Sequence, residues 1–67
     1  MEYKKLLNLI SLRKTKKATQ AEMASNFGVS RVTYARWETG ISKPSIDDIE
    51  RMADFFGVSV DYIIGRK

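Results

Sequence analysis

The chain contains no cysteine and no histidine, and its one proline is Pro44. Without cysteine there is neither a disulfide staple nor a thiolate metal site. Without histidine the commonest metal ligand and the commonest general base are both missing. Unbroken apolar runs stop at two or three residues, far short of the roughly 20 that span a bilayer. Lys4 and Lys5 lie near the N-terminus, but Asn8, Ser11 and Arg13 break up the adjoining stretch before an apolar signal region can form. These absences speak against a disulfide-stapled secreted module and a membrane span, and cytoplasmic residence is the expectation. No nucleophile–base pair or metal constellation remains either, because the Ser and Asp residues are better spent as helix caps and helix-entry charges. No enzyme, no metal and no cofactor is therefore expected.

What is present is short and unevenly charged. A chain of 67 residues makes one domain, taken as residues 1–67. A domain this small buries only about 60% of its extended surface and is marginally stable. The net charge is +4. Between Arg13 and Lys43 seven basic residues face two acidic ones, whereas from Pro44 to Asp61 five acidic residues face Arg51 alone. The first stretch suits a polyanion and the second repels one. An ordinary solvated surface accounts for the same totals, so charge alone leaves both readings standing.

Helix punctuation is dense. The four glycines, Gly28, Gly40, Gly57 and Gly65, all fall at the ends of periodic segments. Thr19, Ser30, Ser45 and Ser59 begin segments and can accept from the first unpaired amides. Glu22 follows Thr19 by three residues and Asp48 follows Ser45 by three, as in a capping box. Ala18 with Met23, Val29 with Tyr34, and Val58 with Ile63 have the spacing of hydrophobic staples. Together these signals predict helices over 2–14, 20–27, 31–39, 46–56 and 60–64. The first carries Leu6, Leu9, Ile10 and Arg13 near one face. The fourth places Ile46, Ile49, Met52, Ala53 and Phe56 inward at three-four spacing. No segment alternates with period two, so an all-α fold is expected.

Residues 20–39, QAEMASNFGVSRVTYARWET, form a helix-turn-helix unit. Two helices crossing steeply need a small residue at the crossing, which Ala24 supplies, and a backbone that turns left-handed, which Gly28 supplies. Met23, Phe27, Val29, Tyr34 and Trp37 supply the apolar inner face. The run TQAEMASNFGVSRVTYARWETGISKPS, followed by MADFFGVSVDYIIG, resembles the phage-repressor, Cro and Xre family of helix-turn-helix proteins over about residues 6–65. That resemblance implies a compact five-helix, lambda-repressor-like DNA-binding domain. It implies a bacterial or phage transcription regulator, foremost a repressor. Such a protein binds an inverted-repeat operator of double-stranded DNA as a homodimer, with half-sites roughly 34 Å apart.

In that family the second helix of the unit, here 31–39, enters the major groove with its N-terminal residues leading. Ser30, Arg31, Val32, Ala35 and Arg36 face outward, and Ser30, Arg31, Val32 and Arg36 are the residues expected to read bases. A guanidinium fork suits guanine O6 and N7, and Val32 suits a thymine methyl. The competing reading of either arginine is a solvated charge or a phosphate clamp without sequence meaning. The resemblance assigns phosphate contact to Gln20, and Thr39 and Lys43 match positions that grip the same strand. Lys16, Lys17 and Thr19 precede Gln20, and Thr33 lies between the outward and inward faces; all four join the phosphate set. Solubility is the competing reading for the lysines, and for Lys16 it explains the residue as readily as contact.

Arg13 and Glu38 sit on faces that are otherwise apolar. A lone buried charge costs several kcal/mol, so they are expected as a structural ion pair, a pairing the family pattern shares. Three departures stand out. Lys17 occupies a position where glycine is common, Ala18 one where leucine is common, and Tyr34 a slot usually filled by a smaller aliphatic residue. The Tyr34 hydroxyl then needs a partner or an exit to solvent. The dimer surface is expected on the last two helices, with Phe55, Val60, Tyr62 and Ile64 as candidates against plain core filling. The alternative to a DNA regulator is a protein-interaction module on the same fold, resembling an antitoxin or anti-repressor.

Overall fold

The computed structural model describes residues 6–65. Five helices follow one another: α1 (Leu7–Thr15), α2 (Gln20–Phe27), α3 (Arg31–Thr39), α4 (Ile46–Phe56) and α5 (Val60–Ile64). No strand occurs among the described residues, and the fold is all-α. The last four helices occupy the ranges that caps and glycines predict. The first does not. The part of its predicted span at 2–5 lies outside the described residues, and α1 begins only at Leu7 and runs on to Thr15.

Local chemistry explains the agreement. Each of α2 to α5 begins at a hydroxyl residue whose side chain accepts an amide of the first turn, a contact worth about 1 kcal/mol. Both predicted capping boxes form: Thr19 with Glu22, and Ser45 with Asp48. The turn between α2 and α3 is made by Gly28 at φ 70°, with the Val29 amide donating to Ala24 O at 3.0 Å. A Cβ on Gly28 would meet nothing within 4 Å. The need for glycine there is therefore conformational and not a matter of space. By contrast, α1 is preceded by Leu6, which offers no side-chain cap, and the turn after it passes through Lys17 at φ 56°. A lysine stands in the left-handed position where glycine would be strain-free.

One core joins all five helices. Leu6, Leu9, Met23, Ala24, Phe27, Tyr34, Trp37, Ile49, Met52, Ala53 and Ile63 are buried, and Ala18, Val29 and Val58 pack against them. Phe27 is central, stacking on Tyr34 at 6.2 Å and meeting Phe55 edge-on at 5.6 Å. The expectation for Ile46 is corrected: its side chain is 74% exposed. It is the first residue of α4, one turn short of Ile49, and there the core has ended. Phe56 is half-buried and Ile10 likewise.

Two long-range polar ties complete the frame. Asn8 Nδ2 donates to Tyr62 O at 2.7 Å, and Arg51 Nη1 donates to Phe27 O at 3.2 Å. The second satisfies the carbonyl of the last residue of α2, where no intrahelical partner exists, and the first adds to the bond that Tyr62 O already accepts from Gly65 N at 3.2 Å. No helix among the described residues is long and apolar enough to cross a membrane.

Candidate nucleic-acid interface

Helix α3 is anchored from behind. Tyr34, Trp37 and Glu38 are buried, at 0%, 4% and 3% exposure. Arg31, Val32 and Arg36 are exposed on the opposite side, Thr33 and Ala35 are half-buried, and Ser30 is exposed at the N-cap. Of the positions the sequence places outward, Ser30, Arg31, Val32 and Arg36 are exposed, whereas Ala35 is half-buried. Ser30 has a prior commitment: its hydroxyl accepts from Thr33 N at 3.1 Å and donates to Thr33 Oγ1 at 3.0 Å. It caps the helix and orients Thr33 at the same time.

Glu38 is the hub behind this surface. Its Oε2 accepts from Arg13 Nε at 2.7 Å. Its Oε1 accepts from Arg13 Nη2 at 3.3 Å and from Gln20 Nε2 at 3.0 Å. Arg13 Nη1 donates in turn to Ala18 O at 3.0 Å, which ties the α1–α2 turn to the same cluster. The predicted Arg13–Glu38 ion pair is therefore present, with side chains 15% and 3% exposed. Burial alone would raise the Glu38 carboxyl, but the hydrogen bonds from Arg13 and Gln20 outweigh it and hold the group below its usual value. The hydrogen bond to Glu38 raises Arg13.

Gln20 is half-buried at the start of α2. One of its amide hydrogens is engaged by Glu38, which leaves its Oε1 turned toward Arg31 Nη1 at 3.5 Å. A chain of polar contacts thus runs from Arg13 through Glu38 and Gln20 to Arg31. The sequence indicates the Arg13–Glu38 link but gives no sign of its extension through Gln20 to Arg31, because the members come from three helices. The Tyr34 hydroxyl lies beside it, buried and without a hydrogen-bond partner. Burial first, and the nearby Glu38 carboxylate second, push its ionisation up. Neither the partner nor the exit to solvent expected for that hydroxyl exists among the described residues.

The remaining predicted residues are scattered around this centre. Lys17, Thr19, Thr39 and Lys43 are exposed. Thr19 caps α2, and its own amide donates to Glu22 Oε1 at 2.7 Å. The Thr39 hydroxyl donates back to Ala35 O at 3.2 Å. Lys16 points elsewhere: its Nζ sits 5.3 Å from the centre of the Phe55 ring and 6.0 Å from that of Phe56. This cation–π contact engages Lys16 at the end of α4. Among the described residues no cluster of three acidic, histidine or cysteine side chains is placed to hold a metal ion.

Comparison with known proteins gives a consistent set of likenesses. The family model described as helix-turn-helix matches residues 9–63. The cryptic phage CTXphi transcriptional repressor RstR of Vibrio cholerae is 34% identical over 87% of this chain and 52% of its own length. The antitoxin PezA of Streptococcus pneumoniae is 41% identical over 88% of this chain and 37% of its own length. The crystal structure of a transcriptional regulator from Listeria innocua superposes with a TM-score of 0.86 at 28% identity, covering 97% of this chain and 61% of that one. The chain thus spans about half, or less, of the curated relatives it matches.

Proposed function

The chain belongs to the helix-turn-helix family of the phage-repressor, Cro and Xre type, and from that premise we propose that its five-helix unit binds duplex DNA as a transcription regulator. The observation that carries this reading is the two-sidedness of α3. Its rear is fixed to the core by Tyr34, Trp37 and Glu38, while Arg31, Val32 and Arg36 are exposed together. A rigid helix presenting two guanidiniums and an apolar side chain suits the major groove, where guanine offers paired acceptors and thymine a methyl. Ser30, Arg31, Val32 and Arg36 are the proposed base-reading set. Lys17, Thr19, Gln20, Thr33, Thr39 and Lys43 are the proposed phosphate set. Lys16 supports the reading least, since its ammonium already rests over two rings. Repression is the favoured output, homodimer binding to an inverted repeat the favoured mode, and the cytoplasm, where the operator lies, the site of action.

Selection of bound duplexes from a random pool tests the reading. An enriched inverted repeat is expected. In the enriched sequence, Arg31→Ala is expected to cost about 1–3 kcal/mol and to relax the preference at one position of each half-site. Enrichment of no sequence, together with DNA binding indifferent to salt, would reject it. The antitoxin-like relative keeps one second reading in view, a protein partner covering the Arg31–Arg36 face. That reading predicts loss of the partner, and not of DNA, on the same substitution.

A further inference from the structure

The Tyr34 hydroxyl is the one buried side-chain polar atom among the described residues without a hydrogen-bond partner. Such a group in a folded chain calls for an explanation. Tyr34 and Glu38 are four residues apart on α3, a spacing that makes their side chains neighbours on one face, and both are buried. Burial first and the Glu38 carboxylate second push the ionisation of the hydroxyl up, while Arg13 opposes them. Both members of the ion pair therefore face it. A carboxylate has about four acceptor positions. Glu38 fills three of them, two with Arg13 and one with Gln20.

The donors differ in how firmly they are held. Arg13 grips both carboxylate oxygens, and its Nη1 is fixed to Ala18 O at 3.0 Å. Gln20 gives a single bond of 3.0 Å from a half-buried position at the start of α2, and its Oε1 already turns to the exposed Arg31. Gln20 is thus the donor that a ligand on the α3 face can draw away. A buried carboxylate is destabilised when it loses a donor, and the Tyr34 hydroxyl stands beside this one with its proton uncommitted.

We infer that Tyr34 is a positioning residue whose hydroxyl replaces Gln20 as a donor to Glu38 when the Gln20 amide turns to a DNA phosphate. Rotation about one C–O bond aims the proton. Glu38 then keeps its full set of bonds, and the rear of α3 stays fixed while its front is engaged. A smaller aliphatic residue at position 34 has no proton to give. The inference rests on the placing of Gln20 in the proposed phosphate set, and its test keeps the two apart.

A double-substitution cycle tests the exchange without DNA. Urea denaturation of the wild type, Gln20→Ala, Tyr34→Phe and the double variant gives four folding constants. With Gln20 present, Tyr34→Phe is expected not to lower stability. In the Gln20→Ala background the hydroxyl has moved to Glu38, and adding Tyr34→Phe is expected to lower the folding constant roughly tenfold, as for one hydrogen bond to a charged group. DNA affinity follows the reverse pattern. Tyr34→Phe alone is expected to weaken duplex binding roughly tenfold, because the bound state lacks the replacement donor. In the Gln20→Ala background it is expected to leave affinity unchanged, since the hydroxyl is engaged with and without DNA. Should the double variant not fold, the affinity of Tyr34→Phe alone decides. Additive stabilities overturn the inference, and so does a duplex affinity that Tyr34→Phe leaves unmoved. If the wild type binds no duplex while the stabilities couple, the DNA reading fails and the exchange of donors stands. If duplexes bind while the stabilities add, the exchange fails and the DNA reading stands.

Discussion

Two buried polar groups lie side by side on the inward face of α3, and their situations are opposite. Glu38 receives three hydrogen bonds, whereas the Tyr34 hydroxyl receives none. The hydroxyl bears its desolvation cost with no partner in good hydrogen-bond geometry, though the Glu38 carboxylate beside it favours its protonated form, so Tyr34→Phe is expected to stabilise the domain by at most about 1 kcal/mol. Urea denaturation checks this, and a variant less stable than wild type would show that the hydroxyl has a partner after all. Glu38 makes stability depend on acidity. Its carboxyl is held below the ordinary value in the folded chain, so the unfolded chain takes up its proton more readily. The stability it contributes is complete above the usual carboxylate pKa of about 4.3 and is lost as pH falls through the lower folded value. Melting temperature is expected to decline across that acidic window. Glu38→Gln is expected to start lower at neutral pH and to decline less steeply there. Equal slopes for the two proteins would remove Glu38 as the cause.

At the scale of elements, legibility follows the range of the forces involved. The bounds of α2 to α5 are readable because a hydroxyl cap and a closing glycine act within a few residues of each helix end. The start of α1 is not, since Leu6 gives no capping signal. Periodicity picks out the inward face of α4 but not where along its axis the core stops, which is why Ile46 reads as buried and is exposed. The outward face of α3 is legible for the same reason that its rear is: Tyr34 and Trp37 mark the core side. The route from Glu38 through Gln20 to Arg31, and the tie from Asn8 to Tyr62, depend on tertiary placement and leave no local mark. The end of α1 combines both cases. Lys17 breaks the glycine pattern, and its φ of 56° confirms that the position is left-handed all the same. The left-handed region costs a non-glycine residue roughly 1–2 kcal/mol, partly offset by the entropy glycine loses on folding. Lys17→Gly is therefore expected to raise stability by about 0.5–1 kcal/mol in denaturant unfolding. The same variant is expected to bind DNA more weakly, with a salt slope shallower by about 1. An unchanged slope would mean that Lys17 touches no phosphate.

The whole molecule is electrically divided, and the division has a measurable consequence. Basic residues are concentrated before Pro44, acidic ones after it. In the fold, Asp47, Glu50, Asp54 and Asp61 remain exposed on α4 and α5, whereas Lys17, Arg31, Arg36 and Lys43 are exposed around α2 and α3. Binding led by the basic side displaces condensed counterions, and each neutralised phosphate contributes about −0.9 to the slope of log affinity against log salt. Lys17 and Lys43 set the lower bound, and the two arginines add to it wherever they meet phosphate instead of bases. The expected slope is thus roughly −2 to −4 per domain on unrelated duplex DNA. On a sequence that the arginines read, it moves toward the shallow end, because a guanidinium paired with guanine no longer neutralises phosphate. Charges on the far side contribute little, since a distance beyond the Debye length of about 8 Å screens them at physiological salt. Fluorescence anisotropy with a labelled duplex across a salt series gives the slope, for the wild type and for Asp54→Asn. The two slopes are expected to agree within error. A steeper slope for Asp54→Asn would mean that the acidic helices approach the phosphates, which would place DNA on a different face from the one α3 presents.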